Sequence, residues 1–216
     1  MTTMVQRSLG ARALQIDKVL SDGQLERMGI KPSLFPGRQE SIRPVSQRRF
    51  AERFVTFRAL DARTLQKGAA FELGHLAGTA EIRMMLAQTE EIEGWVSGAY
   101  GYKGNEPDAR AMIAGNPVLV EFDTCSYEAR TVWKKMRAFR KEGQVVWGTT
   151  SPLRADRIAQ KYPEAAVLYV PWWEGVEERA STLAAAGGDR GAVRKAQRLE
   201  RQARRSLPSS KSPLFV

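Results

Sequence analysis

At Gly94 the hydrophobic period of the sequence changes, and that change leaves few folds open. Before it, Phe71, Leu73, Leu76, Ile82, Met85 and Leu86 recur at helical intervals across Ala69–Glu91, although Gly74 and Gly78 each weaken the helix by about 1 kcal/mol relative to alanine. After it, Trp95–Tyr100, Ala109–Ile113 and Val118–Asp123 read as three short strands parted by Gly, Asn and Pro turns. Connections that short suit antiparallel neighbours. A helix over Thr124–Glu142 follows, with Val132, Met136 and Phe139 on one stripe and Arg130, Lys134, Arg137 and Lys141 outside it. Then come a strand at Gln144–Trp147, a helix at Pro152–Lys161 and a strand at Ala166–Val170. Strand, helix, strand in quick succession requires a right-handed crossover and parallel pairing. The expectation is a mixed α/β fold with an αβββαβ core between Ala69 and Trp173.

The flanks differ from this core. Leu14, Val19, Leu20, Leu25 and Met28 place two short helices in Ala11–Met28 around a Ser21-Asp22-Gly23 turn, the outline of a helix-turn-helix fragment. Pro32, Pro36, Gly37 and Pro44 predict a loop over Lys31–Pro44. Phe50, Phe54, Phe57 and Leu60, at three- and four-residue steps amid Arg48, Arg49, Arg53, Arg58 and Arg63, predict an amphipathic basic helix. Beyond Trp172-Trp173 an Ala- and Arg-rich helix is expected from Glu177 to about Arg205, then a flexible tail from Ser206. The expected organisation is a helical DNA-binding region at 1–68, the α/β core at 69–175 and a basic helix with tail at 176–216.

The formal net charge is +10 over 216 residues, and a chain of that sign favours polyanions because each neutralised phosphate releases counterions. DNA is the expected partner. The excess charge sits in the flanks, so Arg48, Arg49, Arg53, Arg194, Lys195, Arg198, Arg201, Arg204 and Arg205 are the candidate nucleic-acid contacts. Cys125 is the only cysteine, which excludes an intrachain disulfide, and no stretch reaches the roughly 18 apolar residues of a membrane span. A cytoplasmic protein with no membrane partner is expected.

Asp108 precedes the second strand, and Glu121 and Asp123 close the third, so neighbouring strands can bring carboxylates together. Mg²⁺ typically takes one or two carboxylates and fills its remaining positions with water and phosphate. The succession Glu106-Pro107-Asp108, Glu121-Phe122-Asp123 and a helix with Lys134 and Lys135 resembles the PD-(D/E)XK nuclease superfamily. More narrowly, Val120-Glu121-Phe122-Asp123-Thr124, Lys135-Met136-Arg137-Ala138-Phe139 and Leu73-Gly74-His75-Leu76-Ala77 resemble the replication-relaxation family of plasmid and mobile-element proteins.

That resemblance implies a winged-helix-like region ahead of a nuclease-like core, although Lys31–Pro44 shows no wing hairpin. It implies Asp108 and Glu121 as metal ligands and Asp123 as a third ligand or an orienting group. Mg or Mn is the implied cofactor if the site is active. The family's lysine two residues after the glutamate is replaced by Asp123, and Lys135 takes its part from the next helix; Lys134 points about 100° away. Replication or mobilisation proteins are further implied partners. Other groups read as structural: His75 as a core or capping residue, Glu81 as an exposed helix glutamate, and Trp172 and Trp173 as packing at the end of a sheet. Three functions stay open: a DNA-binding protein on a nuclease-like core, an active metal-dependent endonuclease, and an assembly protein with a basic tail.

Overall fold

A computed structural model describes residues 1–45, 52–98 and 106–181. The amino-terminal part comprises α1 (Thr3–Asp17), β1 (Leu20–Ser21), α2 (Asp22–Arg27), a 3-10 turn (Pro32–Leu34), β2 (Gly37–Ile42), β3 (Arg53–Arg58) and α3 (Ala62–Lys67). It is followed by α4 (Ala70–Leu86), β4 (Ile92–Ser97), β5 (Ala109–Ile113), β6 (Asn116–Asp123), α5 (Ala129–Phe139), β7 (Gln144–Thr149), α6 (Pro152–Lys161) and β8 (Ala166–Tyr169). Residues 176–181 are helical again. The fold is mixed α/β, and from α4 to β7 the elements run in the expected αβββαβ order.

The large sheet has strand order β4-β5-β6-β7-β8. Its first three strands are antiparallel and its last three parallel, as the connection lengths require. Ile113 pairs with Asn116 across a turn in which Ala114 and Gly115 both have positive φ, 49° and 75°, the backbone demanded by a two-residue hairpin of matching twist. Along β6 the side chains alternate. Val118, Val120 and Phe122 join the core shared with α4, whereas Leu119 faces Val132, Met136 and Phe139 of α5 and Ile158 of α6. Three layers result: α4 and the amino-terminal part on one face of the sheet, α5 and α6 on the other.

Helix α4 lies so close to the sheet that its glycines are packing residues. A Cβ on Gly78 would overlap the Phe122 ring, and one on Gly148 of β7 would overlap Ile82 Cδ1. The glycines that weaken the helix in isolation let it seat here. Across the expected 68/69 boundary the apolar core is continuous, because Val55, Phe57 and Leu65 share it with Leu73, Ile82 and Trp172.

Three expectations are corrected. The segment foreseen as a basic helix is strand β3 over its described part: Phe57 is buried and stacks on Trp172 at 5.6 Å, while Phe54 points outward. Phe54 and Phe57 stand three apart, which mimics a helical step but places them on opposite faces of a strand. Within the predicted loop, Gly37–Ile42 forms β2, which pairs antiparallel with β3 from Gly37↔Arg58 to Ile42↔Arg53. An antiparallel strand pair is therefore present, in a small sheet of order β1-β3-β2. Finally, Glu81 is buried and accepts from Gln24 Nε2 at 3.0 Å, from Arg179 at 3.1 Å and from Arg27. It faces the amino-terminal part, beside a second buried pair in which Arg83 holds Asp17 through two bonds of 2.8 and 2.6 Å.

Helix boundaries moved less: α1 begins at Thr3 rather than near Ala11, and α5 at Ala129 rather than Thr124. The predicted carboxy-terminal helix is described only to residue 181, and the remainder lies outside the described residues.

Candidate active site

Strand β6 outruns β5. The two pair from Ala109↔Val120 to Ile113↔Asn116, so Glu121 to Asp123 extend past the start of β5. Asp108 still donates its backbone N–H to Val120 O at 2.8 Å, then turns its carboxylate so that Oδ2 accepts the Phe122 N–H at 2.7 Å. That amide would otherwise lack a ladder partner. The other oxygen, Oδ1, lies 2.7 Å from His75 Nε2 on α4. His75 is itself fixed edge-on against the Phe122 ring at 5.4 Å.

Glu121 points to the α5 side and is 0 % exposed. Lys135 reaches in from α5 with Nζ 2.7 Å from Glu121 Oε1 and donates to Glu106 O at 3.2 Å. Its ammonium also lies 5.4 Å from the centre of the Tyr127 ring and 5.6 Å from that of Phe139. Lys135 and the Tyr127 hydroxyl are the two groups that face the buried Glu121 carboxylate. Burial, reinforced by the negative charge of Asp108 and opposed by Lys135, raises the Glu121 pKa to about 8. At His75 burial pulls the pKa down, but the hydrogen bond and charge of Asp108, with Glu121 behind it, outweigh burial and the net shift is upward. The Tyr127 hydroxyl is pushed upward by burial and then by the same two carboxylates.

Lys135 is in contact with Glu121, while Asp108, His75, Tyr127 and Lys135 line one cleft. His75 was legible only as a helix residue beside apolar neighbours; its partner Asp108 comes from the far side of β4. Asp123 takes a different position. Its Oδ2 accepts from Arg154 Nε of α6 at 2.7 Å, and its Oδ1 from the Ser126 and Tyr127 N–H groups at 3.1 and 3.3 Å. Arg154 also binds Tyr127 O at 2.6 Å, so Asp123 and Arg154 together shape the turn that presents Tyr127. Cys125, with φ of 68°, sits in that turn against the Thr149 and Thr150 hydroxyls.

A cleft of about 650 Å³ opens over this group, bounded by the end of β2 at Ile42 and Arg43, by Phe71 and His75 of α4, and by Asp108 and Lys135. Among the described residues no three His, Cys, Asp or Glu side chains gather as a metal site. The oxygen donors here are the Asp108 and Glu121 carboxylates, the ligand type that Mg²⁺ or Mn²⁺ takes with water and phosphate completing the shell.

Of the candidate nucleic-acid contacts, Arg53 lies on β3 and pairs with Glu178 at 2.5 Å. Arg48, Arg49, Arg194, Lys195, Arg198, Arg201, Arg204 and Arg205 fall outside the described residues. Trp172 and Trp173 are buried in contact with each other, as packing residues. Comparison with protein-family models, with curated proteins and with solved structures finds no match.

Proposed function

We propose that the chain is a DNA-binding protein with a PD-(D/E)XK nuclease-like core, of the kind used in plasmid or mobile-element replication and DNA processing. The observation that carries this reading is the meeting of Asp108 and Glu121, at the point where β5 and β6 part, with Lys135 of the following helix 2.7 Å from Glu121. A fold alone would not carry it. The β2–β3 hairpin beside α1, β1 and α2 supports a degenerate winged helix next to the cleft, in keeping with a nucleic-acid partner.

Asp108 and Glu121 are the residues that would hold Mg or Mn, and such an ion supplies polarisation of a phosphoryl oxygen and activation of water. Lys135 balances the charge of Glu121 and lies where negative charge would develop on a bound phosphodiester. Asp123 acts through Arg154 as an orienting group for the Tyr127 turn. A binding-only reading is favoured by one observation: Lys135 lies 2.7 Å from Glu121 and His75 2.7 Å from Asp108, so both carboxylates already have partners without a metal.

The test is DNA retention and cleavage with Mn²⁺ or Mg²⁺, on duplex, branched and single-stranded DNA, for the unmodified chain beside Glu121→Gln and Lys135→Ala. Metal-dependent cutting lost in Glu121→Gln with affinity retained supports the active form. Retention that weakens with salt, without cutting, supports binding alone. No retention of any DNA overturns the proposal, and cutting that survives Glu121→Gln overturns the site.

A further inference from the structure

The solvent side of α5 carries a pattern that the buried site does not use. Val132, Lys135, Met136 and Phe139 turn inward, leaving Arg130, Lys134, Arg137 and, just past the helix end, Lys141 exposed at spacings of four, three and four. Those spacings align them along one side over roughly 16 Å. No acidic residue occurs between Glu128 and Glu142 in the sequence. Among the described residues none of the four cations has an ion-pair partner, and two neighbouring acids are taken elsewhere: Glu142 by Arg110 at 2.7 Å and Glu164 by Arg140 at 2.8 Å. Four cations in a row repel one another, and no carboxylate among the described residues offsets that repulsion.

In the middle of this row stands Trp133, 45 % exposed, with the Arg137 guanidinium 5.3 Å from its ring centre. By contrast, Trp147, Trp172 and Trp173 are buried. An exposed indole among cations suits a partner that has both phosphates and flat apolar faces. The backbone of a duplex offers phosphate and sugar, whereas a single strand also offers base faces, which stack on aromatic side chains along a basic track.

We propose that the outer face of α5 is a track for a single strand of nucleic acid leading to the cleft, with Arg130, Lys134, Arg137 and Lys141 on successive phosphates and Trp133 against a base. The proposal rests on the DNA-binding reading and names the form of nucleic acid that the same site takes. Lys135 ties the track to the site, because one helix presents Lys135 to Glu121 and its neighbours to solvent. The cleft agrees in scale: about 650 Å³ lies within the roughly 300–1,000 Å³ of small-molecule pockets, room for a nucleotide.

The experiment uses the full chain, an oligothymidylate of about 16 nucleotides and a blunt duplex of equal length, reading tryptophan fluorescence and the dependence of affinity on salt. Oligothymidylate is expected to quench the exposed indole, and Trp133→Phe to lose that quench and bind several-fold more weakly. Arg130→Gln/Lys134→Gln/Arg137→Gln/Lys141→Gln should bind more than tenfold more weakly, with the slope of log affinity on log salt reduced by close to three, at about 0.7 per lost single-strand contact. Circular dichroism and thermal melting of both variants establish that they are folded. An unchanged slope in the quadruple variant, a quench that survives Trp133→Phe, or equal affinity for the duplex overturns the track while leaving DNA binding in place. Failure of the unmodified chain to bind either DNA removes the underlying reading as well.

Discussion

Glu121 and Lys135 are buried against each other at 2.7 Å, with the Tyr127 hydroxyl as the second partner of the carboxylate. The carboxylate is taken from water with only these two partners, and the cost of burial outweighs both. Its affinity for a proton rises accordingly, and the second carboxylate nearby, Asp108, adds to the effect.

This pair sets a pH dependence. The Glu121 pKa is raised from an ordinary 4.5 to about 8, so the folded state holds this proton more tightly than the unfolded one. The stability contributed by the group is full below the unfolded value and is lost as pH rises through the folded value. Glu121→Gln imitates the protonated form. With a chelator present, denaturant titrations across this range should show a flatter profile for Glu121→Gln and a variant more stable than the unmodified chain above pH 8. An equally steep profile would place the titrating group elsewhere.

Gly78→Ala tests the seating of α4. On helix propensity alone alanine should stabilise by about 1 kcal/mol. The new Cβ would overlap the Phe122 ring, in a core where overpacking typically costs about 1–3 kcal/mol. The expected result is a net loss of stability in urea titration. A gain would mean that α4 can lift off β6 freely.

Glu81→Ala should be among the most damaging single changes in the chain. It leaves the partly buried Arg27 and Arg179 beside each other without their shared carboxylate, and breaking a buried pair from one side costs about 3–5 kcal/mol. Calorimetry should show a lower melting temperature in one cooperative transition, because Glu81 joins the amino-terminal part to α4. A stability within about 0.5 kcal/mol of the unmodified chain, the range of ordinary surface changes, would contradict its role.

Ser21 has two duties. Its Oγ accepts the Gln24 N–H at 3.2 Å to cap α2 and donates to Trp172 O at 3.0 Å, while the Ser21 N–H donates to Gln24 Oε1 at 2.8 Å. Ser21→Ala should cost about 1 kcal/mol for the cap, and more for the carbonyl left unpaired. Chemical denaturation should therefore find Ser21→Ala less stable than Asp61→Ala, which removes a cap from α3 at the surface and strands no buried partner. Equal losses in the two variants would show that the bond to Trp172 adds nothing.

Legibility in the sequence followed the reach of the interactions. Helix α6 was readable to its ends because Ser151 and Pro152 announce its start and its apolar stripe repeats without interruption. The turn between β5 and β6 was readable because it is local, whereas α4 ends at Leu86 rather than Glu91 and β4 spans Ile92–Ser97, across Gly94, rather than starting at Trp95. Strand β3 was not, since Phe54 and Phe57 stand three apart whether the chain is coiled or extended, and only the partner strands β1 and β2 decide between the two. The carboxylate pair was legible because it depends on adjacent strands. The commitment of Asp123 to Arg154 and of His75 to Asp108 was not, because each needs a helix brought from the opposite layer.

The contact of Ser21 with Trp172, residues 151 apart, governs how the chain can be made. Arg27 also binds Glu174 O, and Gly23 approaches the same carbonyl so closely that a Cβ would lie 2.7 Å from it. During synthesis the first sixty or so residues leave the ribosome long before the segment that completes their packing, since chains grow at about 5–20 residues per second. Phe57 waits, without the Trp172 ring that stacks on it, until the segment after β8 has been delivered. Closing so long a loop slows the final step and makes the nascent chain a natural client for chaperones.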